Sequence, residues 1–306
     1  MGLTCRSFLS CRGVDMNEVQ LQKKKNIALA QVVLSSLLFS TGGLLIKSVP
    51  WPSLAISGGR GIIATIMMLI FIKKKGWKFR FEKKAFLQAF FMAITLTLFV
   101  ASNKLTTAAN AIVIQYMSPV WILVISALFL RQKVKKTDVI VVVVAFFGMA
   151  LFFFEQLSGE GMLGNCLALL SGISLSIMYV VVGEAEEEVR FSGMMMGHAL
   201  TFLVALPTIV TTDLEFSPVA IGCILALGIF QIWLPYVLIG LAMNYCNALT
   251  CNLVGILEPL LNPFWVFLAT GEAPGFLALV GGVIIIVSIT VWCWWNDKVD
   301  KKENPA

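Results

Sequence analysis

Ten stretches of this chain run apolar for about 20 residues with few charges among them, and a short polar or glycine- and proline-bearing break sets each off from the next. They fall near 27–46, 54–72, 85–101, 108–130, 138–154, 164–183, 194–211, 219–241, 248–270 and 274–295. A run of that length crosses about 30 Å of hydrocarbon as an α-helix. A closed β-barrel would instead show short segments of alternating character, and none is present. The pattern predicts an all-α membrane protein with ten transmembrane helices.

Composition agrees. Of 306 residues, 58% are hydrophobic and 13% charged, against about 25% charged residues in soluble domains. The net charge of +6 would suit a nucleic-acid binder, but its placement says otherwise. Lys23, Lys24 and Lys25 precede the first helix, seven cations from Lys73 to Lys84 follow the second, Arg131 to Lys136 carry four after the fourth, and Lys298, Lys301 and Lys302 follow the tenth. Threading ten helices in turn puts all of these on one side. The other side receives Lys47 and Lys104 with the acidic Glu155, Glu160, Asp213, Glu215 and Glu272. The positive-inside rule therefore predicts both termini in the cytoplasm of a multi-pass cell-membrane protein, with no nucleic-acid partner. The loop with Glu184, Glu186, Glu187, Glu188 and Arg190 breaks the trend, but acidic residues weigh little in that rule.

Residues 1–25 form a cytoplasmic N-terminal segment, within which Met16 opens the lysine-bearing stretch and is the expected natural start. Residues 297–306 form a cytoplasmic tail. The cysteines lack metal-ligand spacing, there is one histidine, and no phosphate-binding or dinucleotide loop occurs, so neither a metal nor a cofactor is expected. Gly172-Ile-Ser174 and His198 share residue types with a serine–histidine dyad, yet no oxyanion-type motif accompanies them. An intramembrane enzyme and a channel are thus the minor alternatives.

Sliding the chain on itself by about 140 residues lays Ala108, Pro119 and Gln132 on Ala248, Pro259 and Glu272. Five helices per half is an odd number, so the second half would lie inverted relative to the first, as in many secondary transporters. The halves are 26–155 and 162–296, with the boundary at the polar turn Glu155 to Gly161.

Lys47-Ser-Val-Pro-Trp-Pro-Ser followed by Gly58-Gly-Arg60-Gly resembles the end of helix one and the arginine-bearing helix two of the EamA-type transporters of the drug/metabolite transporter superfamily. So do the segment from Ala108 to Pro119 and its repeat from Ala248 to Leu257-Glu258-Pro259, closing with Gly271-Glu272. The first repeat closes instead with Arg131-Gln132, so no acid stands at that turn. The resemblance spans residues 26 to 295 and implies a ten-helix transporter of small metabolites, often outward and commonly coupled to protons.

Glu258 is the anomalous group: a carboxylate in the otherwise charge-free stretch Leu253 to Thr270. Ionisable side chains at membrane depth mark functional sites or are hidden from lipid. Pro259 and Pro263 follow it, and Pro259 leaves the carbonyl of Gly255 without its helical partner. Glu258 and Asn262, four apart, would share an inward face. A coupling or substrate-contacting carboxyl and an interhelical hydrogen bond remain the two readings. In the first half Pro119 frees the carbonyl of Gln115, so Gln115 and Ser118 offer polar contacts, with Tyr116 as aromatic surface. Arg60 interrupts the second helix, where an arginine at the centre costs about 2.5 to 3.5 kcal/mol. It is either a fixed cation for a substrate carboxylate or a packing arginine, snorkelled to the interface or bonded to carbonyls, and Gly58, Gly59 and Gly61 favour its burial against protein over lipid exposure. His198 falls near the slot of Arg60 when the halves are overlaid. It is a candidate proton relay, or else a solvated residue near the cytoplasmic end of helix seven. Gln231, Trp233 and Tyr236 on the helix with the kink-prone Pro235, Asn252, and Tyr179 on the small-residue stripe of helix six complete the set. The partners expected are a small-molecule substrate, the bilayer and, as one option, protons. A monomer is expected, with a dimer left open. The alternative cargo is a lipid-linked sugar or other amphiphile.

Overall fold

The structure, a computed structural model, describes residues 18–303 apart from 107, 132–133, 153, 155–160, 184, 262–264 and 266–275. Among the described residues all regular structure is helical. The helices are α1 (Glu18–Ser40), α2 (Gly42–Lys47), α3 (Ser53–Lys74), α4 (Lys83–Leu105), α5 (Ala108–Gln115), α6 (Ser118–Phe129), α7 (Lys136–Phe152), α8 (Met162–Gly183), α9 (Glu187–Thr211), α10 (Pro218–Ala226), α11 (Leu234–Ala242), α12 (Ala248–Gly255) and α13 (Phe276–Glu303). Among the described residues six helices are long and apolar enough to cross a membrane when α5–α6 and α10–α11 are each counted as one interrupted span, and shorter apolar helices run over Ala248–Leu261 and Leu279–Trp295. The chain is a multi-pass membrane protein.

The interruptions have local causes. Ser118 and Pro119 open α6: the proline ring suits the first helical turn, where an N–H has no acceptor, but cannot continue a helix from Gln115. Tyr116 and Met117 form the turn between the two pieces. In the other half α12 starts at Asn247, whose Oδ1 accepts from the Thr250 N–H at 2.7 Å as an N-cap. It stops at Gly255, and helix resumes over 257–261 after a turn at Ile256. Between α10 and α11 the backbone is a π-helix, Leu227–Trp233, just ahead of Pro235. Pro235 has no N–H to give to the carbonyl of Gln231, so the ladder shifts register there, and such π-bulges recur at functional sites.

The segments 26–155 and 162–296 interlock. Helix α4 packs along α8 and α9, α3 along α9, α1 along α11, and α7 along α13. Close approach depends on small residues. A Cβ on Gly172 would meet the Gln115 carbonyl oxygen at 2.7 Å, so only glycine admits that contact, and one on Gly61 would press on the His198 carbonyl oxygen at 3.0 Å. One core cluster runs through the interior and includes Met68, Met92, Tyr116, Tyr179, Phe191 and Tyr236.

Candidate functional site

The two broken helices of the interior meet. Tyr116, in the turn between α5 and α6, donates its hydroxyl to Glu258 Oε2 at 2.5 Å. Glu258 lies just beyond the break after α12 and is partly buried. One step along the same contact, the Ser118 hydroxyl donates to Asn252 Oδ1 at 2.8 Å. Serines of α8 brace this crossing. Ser176 Oγ lies 2.9 Å from the Ser118 carbonyl and 2.7 Å from that of Gly172. Gln115 Nε2 donates to Ser171 Oγ at 2.7 Å, and the Ser171 hydroxyl reaches the Thr95 carbonyl at 3.1 Å. Irregular backbone at membrane depth survives only when protein or a wet cavity satisfies it.

A second polar group stands one helix away. Arg60 is 2% exposed in the middle of α3, and its Nη1 donates to Gln231 Oε1 on the π-helix at 3.1 Å. Gln231 Nε2 in turn lies 3.5 Å from the Phe39 carbonyl. His198 on α9 is fully buried, within electrostatic range of Arg60. Its ring meets the Tyr236 ring edge-on, with centroids 5.3 Å apart. Tyr236 lies within electrostatic range of both Arg60 and Glu258. Tyr179 also falls within range of Glu258. The interior thus carries a cation and a carboxyl with three tyrosines within electrostatic range of the carboxyl, groups that suit a small solute with charges at both ends.

Most residues singled out in the sequence converge here: Glu258, Tyr116, Ser118, Asn252, Gln115, Tyr179, Arg60, Gln231, His198 and Tyr236. Arg60 is buried against protein, as its flanking glycines predict, and the solvated reading of His198 needs correction. Arg60 does not snorkel to an interface, because Gly58 and Gly61 let α9 close over it. His198 is not solvated, because it lies on the face of α9 that packs against α3 and α4. The overlay of halves would set Glu258 opposite Ser118, whereas its hydrogen bond is to Tyr116, two residues earlier. Trp233 joins the core edge, and its Nε1 has no hydrogen-bond partner. Asn262 and Pro263 lie outside the described residues.

Arg190 escaped the sequence reading, which counted it only as a loop charge. It is fully buried, donating to the carbonyls of Val182 (3.1 Å), Ala185 (3.0 Å) and Gly240 (2.5 Å) and to Asn244 Oδ1 (3.1 Å). A cation in the first turn of α9 opposes that helix's own dipole. That mismatch was the available signal: such a residue must be held by something else, here the carbonyl ends of α8 and α11.

The family model of the EamA-like transporter family matches the chain twice, over residues 26–154 and 162–293. An uncharacterized transporter of Archaeoglobus fulgidus is 23% identical over 269 residues, covering 86% of this chain and 94% of its own length. The pseudopaline exporter CntI of Pseudomonas aeruginosa is 23% identical over 281 residues, covering 87% of this chain and 94% of its own. A protein solved by crystallography shares the fold, with a TM-score of 0.75 at 16% identity over 89% of this chain and 98% of its own. With both matches of the family model together spanning nearly all of the apolar body, the chain belongs to the EamA-like transporter family.

Proposed function

We propose that this chain is a secondary active transporter, not an enzyme, that moves an amino acid or a solute of similar size and polarity out of the cell. It works by alternating access, with two inverted five-helix halves, 26–155 and 162–296, rocking about the crossing of their broken helices. Ten spans then cross the cell membrane, with both termini cytoplasmic. The chain acts as a monomer, and Glu258 couples transport to protons. The observation that carries this reading is the hydrogen bond from Tyr116 to Glu258, which ties an interruption in one half to an interruption in the other. Discontinuous helices that meet near the midplane are where secondary transporters place substrate and coupling ion. A carboxyl that gains and loses this partner as the halves rock exchanges a proton in each cycle. The name of the Pseudomonas relative, an exporter, supports the outward direction.

The test is uptake of a labelled amino-acid panel into vesicles containing purified protein, with and without a pH gradient. Glu258→Gln should insert and fold normally but abolish transport or remove its dependence on pH. Unchanged transport with unchanged pH dependence would take Glu258 out of the mechanism.

A second cargo class has one observation in its favour. A groove of about 510 Å3 with apolar walls runs between α7 and α13, past Ile140, Val144, Val287, Val291, Trp292 and Trp295. It suits an acyl chain, so a flippase for lipid-linked sugars or other amphiphiles is the alternative. Mass spectrometry of lipid extracted from purified protein separates the two: a stoichiometric amphiphile favours the flippase.

A further inference from the structure

Arg60 is under-used for so deeply buried a cation. A guanidinium carries five N–H donors and stays protonated in proteins. Among the described residues one of these donors, on Nη1, has a hydrogen-bond partner, the neutral side chain of Gln231, and no carboxylate forms an ion pair with it. Its Nε–H is buried without a partner. The same is true of the Ser57 hydroxyl three residues earlier, on the same face of α3, and of both ring nitrogens of His198. Buried polar atoms are nearly always hydrogen-bonded, and a buried charge without compensation is costlier still. Several such atoms gathered round one cation, across the contact of α3 with α9, describe a binding site for an anion.

Gln231 explains why the guanidinium is tolerated meanwhile. Its Oε1 approaches Arg60 as one oxygen of a carboxylate would, while its amide nitrogen faces the Phe39 carbonyl and the backbone of Gly42, where an added Cβ would lie 2.6 Å from Nε2. It sits in the π-helical turn Leu227–Trp233, and such irregular turns recur at functional sites. We infer that Arg60, with Ser57 and His198, forms a carboxylate subsite, and that the amide of Gln231 competes with the solute's carboxylate for the guanidinium. This rests on the transport reading above and narrows its cargo to solutes bearing a carboxylate.

The experiment compares thermal stabilisation of the purified full-length protein by matched pairs that differ in one group: alanine and alaninamide, succinate and succinamate, glutamate and glutamine. Carboxylates should stabilise at lower concentration than their amides. Arg60→Gln should remove that difference. Arg60→Lys should weaken carboxylate binding by about tenfold or more, through loss of the planar donor fork. Gln231→Ala, which leaves the guanidinium in place, should strengthen carboxylate binding, and it keeps the proposal open to refutation even where Arg60→Gln does not fold. Equal responses to acid and amide in wild-type protein, or weaker carboxylate binding in Gln231→Ala, would overturn it. A protein that still carries solutes in vesicles but shows no preference for the carboxylate keeps its transport function and loses this subsite.

Discussion

Replacing Arg190 by alanine removes four hydrogen bonds at once, three of them to the backbone carbonyls of Val182, Ala185 and Gly240. Each carbonyl left without a partner in a buried position costs about 1 to 3 kcal/mol, although that of Val182 keeps the Ala185 N–H at 3.2 Å. The carbonyls of Val182 and Ala185 close the end of α8, where water from the aqueous edge can replace part of what is lost. Asn244 retains its own donation to Glu187 Oε1 at 2.9 Å. The sum is therefore set at the low end, about 3 to 5 kcal/mol, the range seen when one partner of a buried charged network is removed. Arg190→Lys should lose roughly half as much, since an ammonium has three donors but cannot fork to acceptors on α8 and α11 together. Unfolding of the purified protein in mixed micelles, followed by tryptophan fluorescence, measures both variants. A loss below about 0.5 kcal/mol for Arg190→Ala, the scale of an ordinary surface change, would refute the view that this residue binds three helix ends into one unit.

Other outcomes test the interior. Tyr116→Phe deletes a single hydroxyl and leaves Glu258 without its hydrogen bond, so transport should lose much of its pH dependence while the melting temperature moves little. Transport that matches wild type at every pH would separate the tyrosine from coupling. Gly172→Ala places a Cβ 2.7 Å from the Gln115 carbonyl oxygen and 3.2 Å from its Cα, an overpacking that should destabilise by about 1 to 3 kcal/mol. Unfolding in mixed micelles reads it, and a neutral result would mean that α5 and α8 can separate without cost. Reporter fusions after Lys78 and Lys133 should both report cytoplasm and one after Glu155 the exterior. Any reversal would refute the proposed threading.

The membrane-spanning body and the seams within it were legible because they rest on local chemistry. Pro119 and the Gly255–Pro259 stretch announce broken helices wherever they occur, and Pro235 announces a disturbed one, though not that the disturbance takes π-helical form over Leu227–Trp233. Glu258 stood out because a carboxyl is rare at such depth. Its partner did not: the repeat points to Ser118, while the turn between α5 and α6 brings Tyr116 to it instead. The burial of His198 was equally hidden. Its sequence neighbours, three methionines and a glycine, fit a helix end as well as a helix centre, and only the packing of α9 against both α3 and α4 decides between them.

The sequence alone determines that this chain lives in a bilayer, which segments are helical, where they break, and which family they resemble. Apolar run length, proline chemistry and the energetic cost of charge in hydrocarbon act on each segment separately, so no knowledge of neighbours is required. Which polar groups share a site is decided only by the tertiary structure. Arg60 and Gln231 are 171 residues apart in the chain, and Tyr116 and Glu258 are 142 apart. Their meeting depends on how closely glycines let α3, α8 and α9 approach, a property of interhelical packing that no single segment encodes.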